Sequence, residues 1–495
     1  MKPMGTITKY YPFIDEETKT ILDSLMEDSS SYYNFVQRLC ETVLENEVPV
    51  YLAYLAAVHA WWTRKSDSIE LIQERFNDVP IIRPWKFTPD ITDIDQAKYH
   101  DAIVDSIERA METPLDDWIL TELHLLHAYF HYPYLGDIPS LLEPLDKAKL
   151  LIEDNHLLNC FESLICTLEG WAKGVEGYVD ESFDVLQRGE HLAEAHDDSL
   201  YKYLNLINQE AIYLYMNMKE ALALCEDLFA LAQDLDVPYF IAEVLNDSAV
   251  TFESAGEYDL AISSHLEVRK IVGESDFTSQ MLSRIYATLG DGQRAFEEIN
   301  PYIIGNTASI IPMWYLRRAR ALALLNRPEE AECDLETIHP QIMKSGSDMF
   351  LGVYYHASGV IEMAKGDFLA ALDFLERSWE ISAGVPRVLT QNSILLDLAR
   401  VELELARGLA DTTKTIVPGR WLSKLEKHAS ERDLPGVRMQ TALLKSEFYQ
   451  NHGQLKDALG TLRNALKITD SPGVNTIRRI IKERINELDR LLSVQ

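Results

Sequence analysis

The chain has 495 residues, more than one compact core usually needs, and its 47% hydrophobic and 25% charged residues are typical of a folded globular protein. A net charge of −33 disfavours a nucleic-acid partner and an anionic membrane surface, because both select for clustered basic residues. The five cysteines form no Cys-x-x-Cys pair, and the amino-terminal sequence has no apolar signal core. These features predict a cytoplasmic protein.

The chain begins with a predicted helical region. Residues 31–76 have helical periodicity, and the Pro- and Asp-rich stretch 77–95 predicts a loop that ends a helical N-terminal cap over residues 1–95. The adjacent Trp61 and Trp62 point to two faces of their helix, so one ring is expected to be partly exposed.

A divergent helical repeat is predicted over residues 96–155. Thr113, Pro114 and Asp116 are typical of an N-cap, a first-turn proline and an acidic first turn, so a helix is predicted to begin there. A second helix is predicted over 141–154.

Residues 156–470 contain an internal repeat. A small residue recurs at intervals of 34–47 residues, and in six copies Gly or Asn follows seven positions later and a second small residue five positions after that. Two helices cross closely only where side chains are nearly absent, and Gly or Asn between them permits a turn with positive φ. The first small residues are Gly170, Ala211, Ala249, Ser283, Ala319, Gly359, Ala399 and Ser446. The turn residues are Gly177, Gly256, Gly290, Asn326, Gly366 and Gly453.

This pattern resembles the tetratricopeptide repeat, and Phe252, Tyr258, Tyr286 and Phe368 stand where that repeat prefers bulky side chains. Intervals near 40 residues are similar to the longer variants in kinesin light chains, bacterial aspartate-phosphatase regulators and maltose-type transcription activators. The resemblance implies an all-α fold, a right-handed α-solenoid of helix–turn–helix repeats.

The carboxyl-terminal residues 471–495 are predicted to form a helix that caps the last repeat. One face of this helix carries an apolar stripe. The stripe consists of Ile477, Ile481, Ile485, Leu488 and Leu491.

The resemblance also implies a binding surface, because the fifth and ninth residues of each first helix line the concave groove in the family. In this chain several of these positions hold amides, which can pair with a peptide backbone, or arginines, which bind carboxylates. The residues predicted to line a peptide-binding groove are Asn208, Asn246, Gln280, Arg284, Arg320 and Arg400.

An alternative interpretation gives these residues a structural role. The arginines would pair with Glu on a neighbouring repeat, and Asn208 and Asn246 would brace adjacent helices. The carboxylate-clamp type of repeat needs Lys and Asn in its first helices, whereas Thr167 and Trp171 occupy those places here. A chaperone tail is therefore not the expected ligand.

The sequence contains no P-loop, dinucleotide-binding glycine run, zinc-protease motif, nucleophile elbow or EF-hand loop. His124, His127 and His131 lie on one face of a predicted helix, but they follow its axis rather than converge, and no HExxH pattern accompanies them. We therefore expect no metal, no cofactor and no enzymatic activity.

These observations predict a non-catalytic scaffold or adaptor that binds a protein, either as a peptide, with acidic side chains as one option, or as a partner helix. The alternative is a regulatory sensor module that binds a small effector or a signalling peptide. The identity of the partner and the oligomeric state do not follow from the residues.

Overall fold

A computed structural model of the chain describes residues 4–85, 93–131, 138–216, 218–305, 311–345, 347–383, 388–408 and 419–494. This described part consists of helices and their connections and contains no strand, so the predicted all-α class is confirmed. None of its helices combines the length and the apolar character that crossing a bilayer requires.

Twenty-five α-helices and three short 3-10 helices follow one another in the described chain. The α-helices are α1 (Met4–Thr8), α2 (Glu16–Glu27), α3 (Tyr32–Glu45), α4 (Val50–Trp62), α5 (Ser66–Arg75), α6 (Asp93–Met111), α7 (Asp117–His131), α8 (Ile138–Asp154), α9 (Glu162–Val175), α10 (Val179–Ala195), α11 (Ser199–Met216), α12 (Met218–Leu235), α13 (Pro238–Ala255), α14 (Tyr258–Val272), α15 (Asp276–Thr288), α16 (Gly292–Gly305), α17 (Pro312–Leu324), α18 (Pro328–Ser345), α19 (Asp348–Lys365), α20 (Phe368–Ala383), α21 (Val388–Gly408), α22 (Arg420–Glu431), α23 (Pro435–Asn451), α24 (Leu455–Ala465) and α25 (Asn475–Val494). The 3-10 helices are Pro80–Ile82, His156–Phe161 and Pro472–Val474.

The chain divides into two compact units by its internal contacts. The first unit comprises Met1–Tyr213 and Ala223–Val244, and the second comprises Leu214–Leu222 and Leu245–Gln495. The two units are defined by their packing contacts and not by the kind of repeat that each segment contains. They therefore do not test the four segments predicted from the sequence, which stay a prediction.

Helix α4 is the central helix of the first unit. Its residues are buried from Leu52 onward on every side, which explains its uniformly apolar sequence. Trp61 and Trp62 are both buried and contact each other edge to face at 4.8 Å between ring centroids. The expectation of a partly exposed ring is therefore wrong, because α4 has neighbours on both faces.

The amino-terminal segment is anchored inside the first unit by Asp198. This carboxylate caps the start of α11 and also accepts hydrogen bonds from Thr6 and Lys9, the latter at 2.7 Å. Gly5 lies so close to the backbone of Asp197 that a Cβ would be only 2.1 Å from its carbonyl oxygen. The close approach at Gly5 lets Lys9 reach its buried partner.

The helix predicted to begin at Thr113 begins instead at Asp117. Thr113 donates its hydroxyl to the carbonyl of Ala110, and so it satisfies the end of α6 rather than the start of α7. The helix predicted over 141–154 is confirmed within α8, and α3, α4 and α5 occupy the predicted helical stretch 31–76. The predicted loop 77–95 contains a 3-10 helix, and its residues 86–92 lie outside the described residues.

The predicted repeat register is confirmed in the turns of six helical hairpins. All six predicted turn residues adopt positive φ, from 57° at Asn326 to 90° at Gly177. Where the helices cross, the hydroxyl of Ser283 donates to the carbonyl of Ala295 at 2.7 Å, so a small side chain binds the partner backbone directly. These hairpins have the helix–turn–helix form that the repeat pattern predicts.

The second unit also connects its first hairpin to its last helices. Tyr258 donates its hydroxyl to Gln440 of α23 at 3.1 Å, and Asp259 accepts hydrogen bonds from the backbone and side chain of Thr476 in α25. A helix is therefore present in this stretch as α25, and it contacts α14 through these hydrogen bonds as well as the neighbouring α23 and α24. Its role as a cap of the last repeat stays a prediction.

Replacing Gly359 by Ala should destabilise the hairpin formed by α19 and α20. A Cβ at this position would lie 2.6 Å from Cγ of Leu375 and 3.2 Å from the carbonyl oxygen of Ala371. We expect a loss of about 1–3 kcal/mol from overpacking, measured by hydrogen exchange of peptides from α19 and α20.

Gly460→Ala in α24 is the matched control for this substitution. A Cβ at Gly460 meets no described atom within 4 Å, and the position is exposed. Ala should therefore stabilise α24 by about 0.5–1 kcal/mol through its lower backbone entropy in the unfolded state. Equal effects at the two glycines would contradict the close crossing.

Candidate functional site

A cavity of about 40 Å³ lies inside the second unit, and we call it the arginine cavity. Most of its wall comes from α13, α15, α17, α19 and α21, the first helices of five successive hairpins. The resemblance implied a binding surface on this set of helices. The cavity is lined by Glu253, Tyr258, Arg284, Thr288, Arg317, Arg320, Val353, His356, Thr390, Asn392 and Ser393.

Arg284 forms a bidentate ion pair across one side of the cavity. Its Nε and Nη2 donate to the two carboxylate oxygens of Glu253 at 2.8 and 2.5 Å. The Glu253 side chain is 1% exposed, so it depends on this arginine for its counter-charge. Arg284 therefore links α15 to α13 of the preceding hairpin.

The carboxylate of Asp397 in α21 interacts with three side chains. Its Oδ1 accepts a hydrogen bond from Arg400 at 2.7 Å, its Oδ2 lies 2.8 Å from Nε2 of His356, and Nη2 of Arg320 lies 3.8 Å from the same oxygen. Burial alone would raise the pKa of Asp397, but the hydrogen bond from His356 and the two arginine charges outweigh it and hold that pKa below its usual range. Asp397 is therefore ionised at neutral pH.

His356 is neutral at the same pH. Burial, followed by the positive charge of Arg320, lowers its pKa to about 4, although the contact with Asp397 acts in the opposite direction. A neutral imidazole that bonds a carboxylate through Nε2 carries its proton on that nitrogen. His356 is thus a hydrogen-bond donor to Asp397 rather than a third cation.

Arg317 differs from the other arginines of the cavity. It is 8% exposed, its Nε has no hydrogen-bond partner, and no carboxylate of the described residues forms an ion pair with it. Burial lowers the pKa of Arg317 well below its usual value, and the neighbouring charges of Arg284 and Arg320 lower it further. This guanidinium is therefore a buried cation without a counter-charge from the described chain.

The six residues predicted to line a groove are not all gathered in one place. Arg284 and Arg320 line the arginine cavity, and Arg400 is joined to Arg320 through their shared partner Asp397. Gln280 lies one helical turn before Arg284 and contacts Asp276 at 3.4 Å. Asn246 bonds His265 of its own hairpin at 3.1 Å.

Asn208 belongs to the first unit. It is buried there, and its amide donates to the carbonyl of Leu204 at 2.8 Å within α11. The structural role that the sequence left open is present for Arg284, which pairs with Glu253 of a neighbouring repeat, and for Asn246, which braces two helices. That the six residues also bind a ligand stays a prediction.

Arg317 and Asp397 were missed because the sequence analysis considered only the fifth and ninth helix positions. Each stands one residue after a fifth position, Leu316 and Leu396 respectively. Asp397 sits in the apolar run ILLDLA, and a single charge within such a run is a signal of a buried ionic contact. The periodicity of the repeat alone did not reveal it.

The histidine series on α7 contributes to packing in the first unit. Burial lowers the pKa of His124 to about 4, and the nearby Glu122 accepts hydrogen bonds from Tyr10 at 2.5 Å and Tyr54 at 2.9 Å. The side chain of His131 lies outside the described residues. No group of three metal-binding side chains occurs among the side chains that the structure describes.

Comparison with solved structures finds other helical-repeat proteins at low sequence identity. A tetratricopeptide repeat protein from Parabacteroides merdae shares 13% identity and a TM-score of 0.32, covering 57% of this chain and 98% of its own. A Rap protein complexed with Competence and Sporulation Factor shares 12% identity and a TM-score of 0.41, covering 67% and 99%. The apo form of the quorum sensor NprR from B. thuringiensis shares 12% identity and a TM-score of 0.39, covering 80% and 99%. No family model matches the sequence, and no curated protein matches it.

The neutral state of His356 should make the second unit less stable in mild acid. Because the folded pKa of about 4 lies below the unfolded value of 6.5, the unfolded chain binds the extra proton, and stability falls as the pH drops through 6.5. Between pH 7.5 and 5.5 this one group should cost about 1 kcal/mol.

His356→Gln keeps a donor for Asp397 but removes the titrating group. Its stability should therefore fall less than that of the unmodified chain over the same pH range, as measured by hydrogen exchange of peptides from α19 and α21. The same pH dependence in both proteins would show that His356 is not held neutral.

Proposed function

We propose that the chain is a non-catalytic binding module, a cytoplasmic scaffold or adaptor that takes up a peptide or a partner helix along the first helices of its second unit. The observation that carries this proposal is the convergence of Arg284, Arg320 and Arg400 from three different first helices. The amides of Gln280 and Asn246, which can pair with a peptide backbone, also support the proposal. The proposed surface also includes Asn208, which holds the equivalent helix position in the first unit.

The charge distribution supports a ligand with acidic side chains. The whole chain carries a net charge of −33, whereas the arginine cavity brings together more arginines than carboxylates. A local positive site within an acidic surface guides an acidic ligand inward and repels it elsewhere. The same acidity supports a protein partner over nucleic acid or an anionic membrane.

The chemistry of the site supports binding rather than catalysis. A general base works best with a pKa near the operating pH, and His356 with a pKa of about 4 is a weak base at neutral pH. Its hydrogen bond with Asp397 occupies the Nε2 atom. The carboxylates of Glu253 and Asp397 are engaged by arginines and so act as counter-charges.

The cysteines support the cytoplasmic part of the proposal. All five thiols are free in the structure, four of them buried and Cys333 exposed. An exposed free thiol persists more readily in a reducing compartment than in an oxidising one.

A second candidate function is a sensor for a small effector. It is favoured by the size and enclosure of the arginine cavity, since about 40 Å³ admits a small charged group and not a length of peptide. In that case the effector would alter the contacts of Asp397 with Arg320 and His356, which join α17, α19 and α21.

Peptide selection tests the scaffold proposal. We would select a displayed library of random 12-residue peptides against the full chain and synthesise the enriched sequences. Peptides rich in Asp and Glu should be enriched. A double variant with Arg400→Gln and Gln280→Ala should weaken their binding at least tenfold, because it removes one cation and one amide from the proposed surface.

The choice of Arg400 keeps the fold intact, since Asp397 retains Arg320 and His356 when Arg400 is removed. Arg284 is unsuitable, because its removal would leave Glu253 buried and unpaired, at a cost of about 3–5 kcal/mol. Arg377→Gln is the matched control, with the same charge change on the second helix α20, where the side chain is 53% exposed. Equal affinity of an enriched peptide for the double variant and the unmodified chain would reject the proposed surface.

A further inference from the structure

We infer that the arginine cavity is a binding site for a small oxyanion, a carboxylate or phosphate group, held by Arg317 and Arg320. This site does not require the proposed peptide-binding function; it names the chemical class of the group that the second candidate, a sensor for a small effector, would bind. Arg317 belongs to none of the positions predicted to line the groove. The inference depends on the balance of charge, the unused donors and the size of the cavity.

The charges around the cavity do not balance within the described chain. Two carboxylates face three largely buried arginines and a fourth, Arg400, whose side chain is 36% exposed. His356 is neutral, so Arg317 is left without a carboxylate partner among the described residues. The arginines are Arg284, Arg317, Arg320 and Arg400, and the carboxylates are Glu253 and Asp397. Uncompensated charges in a protein interior are costly, and an anion would neutralise them.

The carboxylates of the cavity are already saturated. Both oxygens of Glu253 accept hydrogen bonds from Arg284, and Asp397 is shared by Arg400, His356 and the more distant Arg320. Neither carboxylate is therefore free to neutralise Arg317.

The polar lining does not replace the missing acceptor. Asn392 donates its amide to the carbonyl of Ser254 at 2.8 Å, and its oxygen lies 2.9 Å from Nε2 of His428. Thr288 donates its hydroxyl to the carbonyl of Arg284. These groups are engaged with the surrounding helices, so the unused hydrogen-bonding capacity of the cavity lies in its arginines.

The unused donors are those of two neighbouring guanidinium groups. Nε of Arg317 and Nε of Arg320 are both buried without a hydrogen-bond partner. A guanidinium offers several N–H groups in one plane, and this geometry matches the two oxygens of a carboxylate or the oxygens of a phosphate. Arg317 and Arg320 lie three residues apart on α17, so both heads lie on one side of that helix.

The size of the cavity selects a small group. A buried water needs roughly 10–15 Å³ of such space, so about 40 Å³ corresponds to three or four water-sized groups. A carboxylate or a phosphate head fits these dimensions. The anion can be a free ion or the charged end of a larger effector.

Thermal denaturation of the full chain in different sodium salts tests the site. We would titrate phosphate, sulfate and acetate against chloride at equal ionic strength, and compare the unmodified chain with Arg317→Met. The unmodified chain should show a saturable rise in melting temperature that the variant lacks or needs at least tenfold more anion to reach. Comparing the two proteins removes the general stabilisation that phosphate and sulfate give to folded proteins.

The response to each salt identifies the chemical class of the anion that binds. A rise with phosphate and sulfate alone indicates a tetrahedral oxyanion, and a rise with acetate indicates a carboxylate. A saturable rise in none of these salts, or the same rise in Arg317→Met, would overturn the inference. The peptide proposal would then still stand or fall by its own selection experiment.

Two controls keep the result decisive. Arg294→Gln removes an exposed arginine of α16, 66% accessible, and should leave the anion response unchanged. Without added oxyanion, Arg317→Met should melt at a higher temperature than the unmodified chain, because it removes an uncompensated buried charge.

If the Met variant does not fold, Arg317→Lys decides the question, since it keeps the charge but loses the planar set of donors. Its affinity for phosphate, measured directly from ³¹P NMR line widths, should fall at least threefold. An unchanged affinity would exclude Arg317 as a ligand.

Discussion

The close crossing of two helices at residues with almost no side chain is the constraint on which the hairpins depend. At Gly170 and Gly359 the space that a Cβ would need is occupied by Leu186 and Leu375 of the partner helix. A residue with positive φ then reverses the chain after one helix and before the next. This local arrangement is repeated, so neighbouring hairpins present equivalent helices to one another.

The arrangement of the hairpins decides where charges can be placed. In the second unit the first helices of five hairpins surround one cavity, and charged residues on these helices must find partners in its interior. Glu253 and Arg284 do so across adjacent hairpins, whereas Asp397 connects α21 to α17 and α19. Each of these contacts joins helices of different hairpins.

Buried ionic groups are not a simple source of stability, because their desolvation opposes the attraction between them. They do make the packing selective, since a shift of one helix would leave a charge without its partner. Arg317 lacks such a partner among the described residues, and for that reason it is the residue most informative about a ligand. In the first unit the buried charge of Lys9 does have a partner, Asp198, whose side chain also caps α11.

The residues alone determined the all-α class, the repeat register and the turns, because these depend on local properties: small side chains, positive φ and apolar periodicity. They also placed Arg284, Arg320 and Arg400 on first helices. The start of α7 at Asp117 and the burial of both Trp61 and Trp62 depended on neighbouring helices, so local signals at Thr113 and within α4 were misleading. The partners of the arginines, the neutral state of His356 and the uncompensated charge of Arg317 were decided by tertiary structure. The reason is physical: an ion pair depends on a distance of a few ångströms between helices up to 80 residues apart, and periodicity within one helix contains no information about that distance.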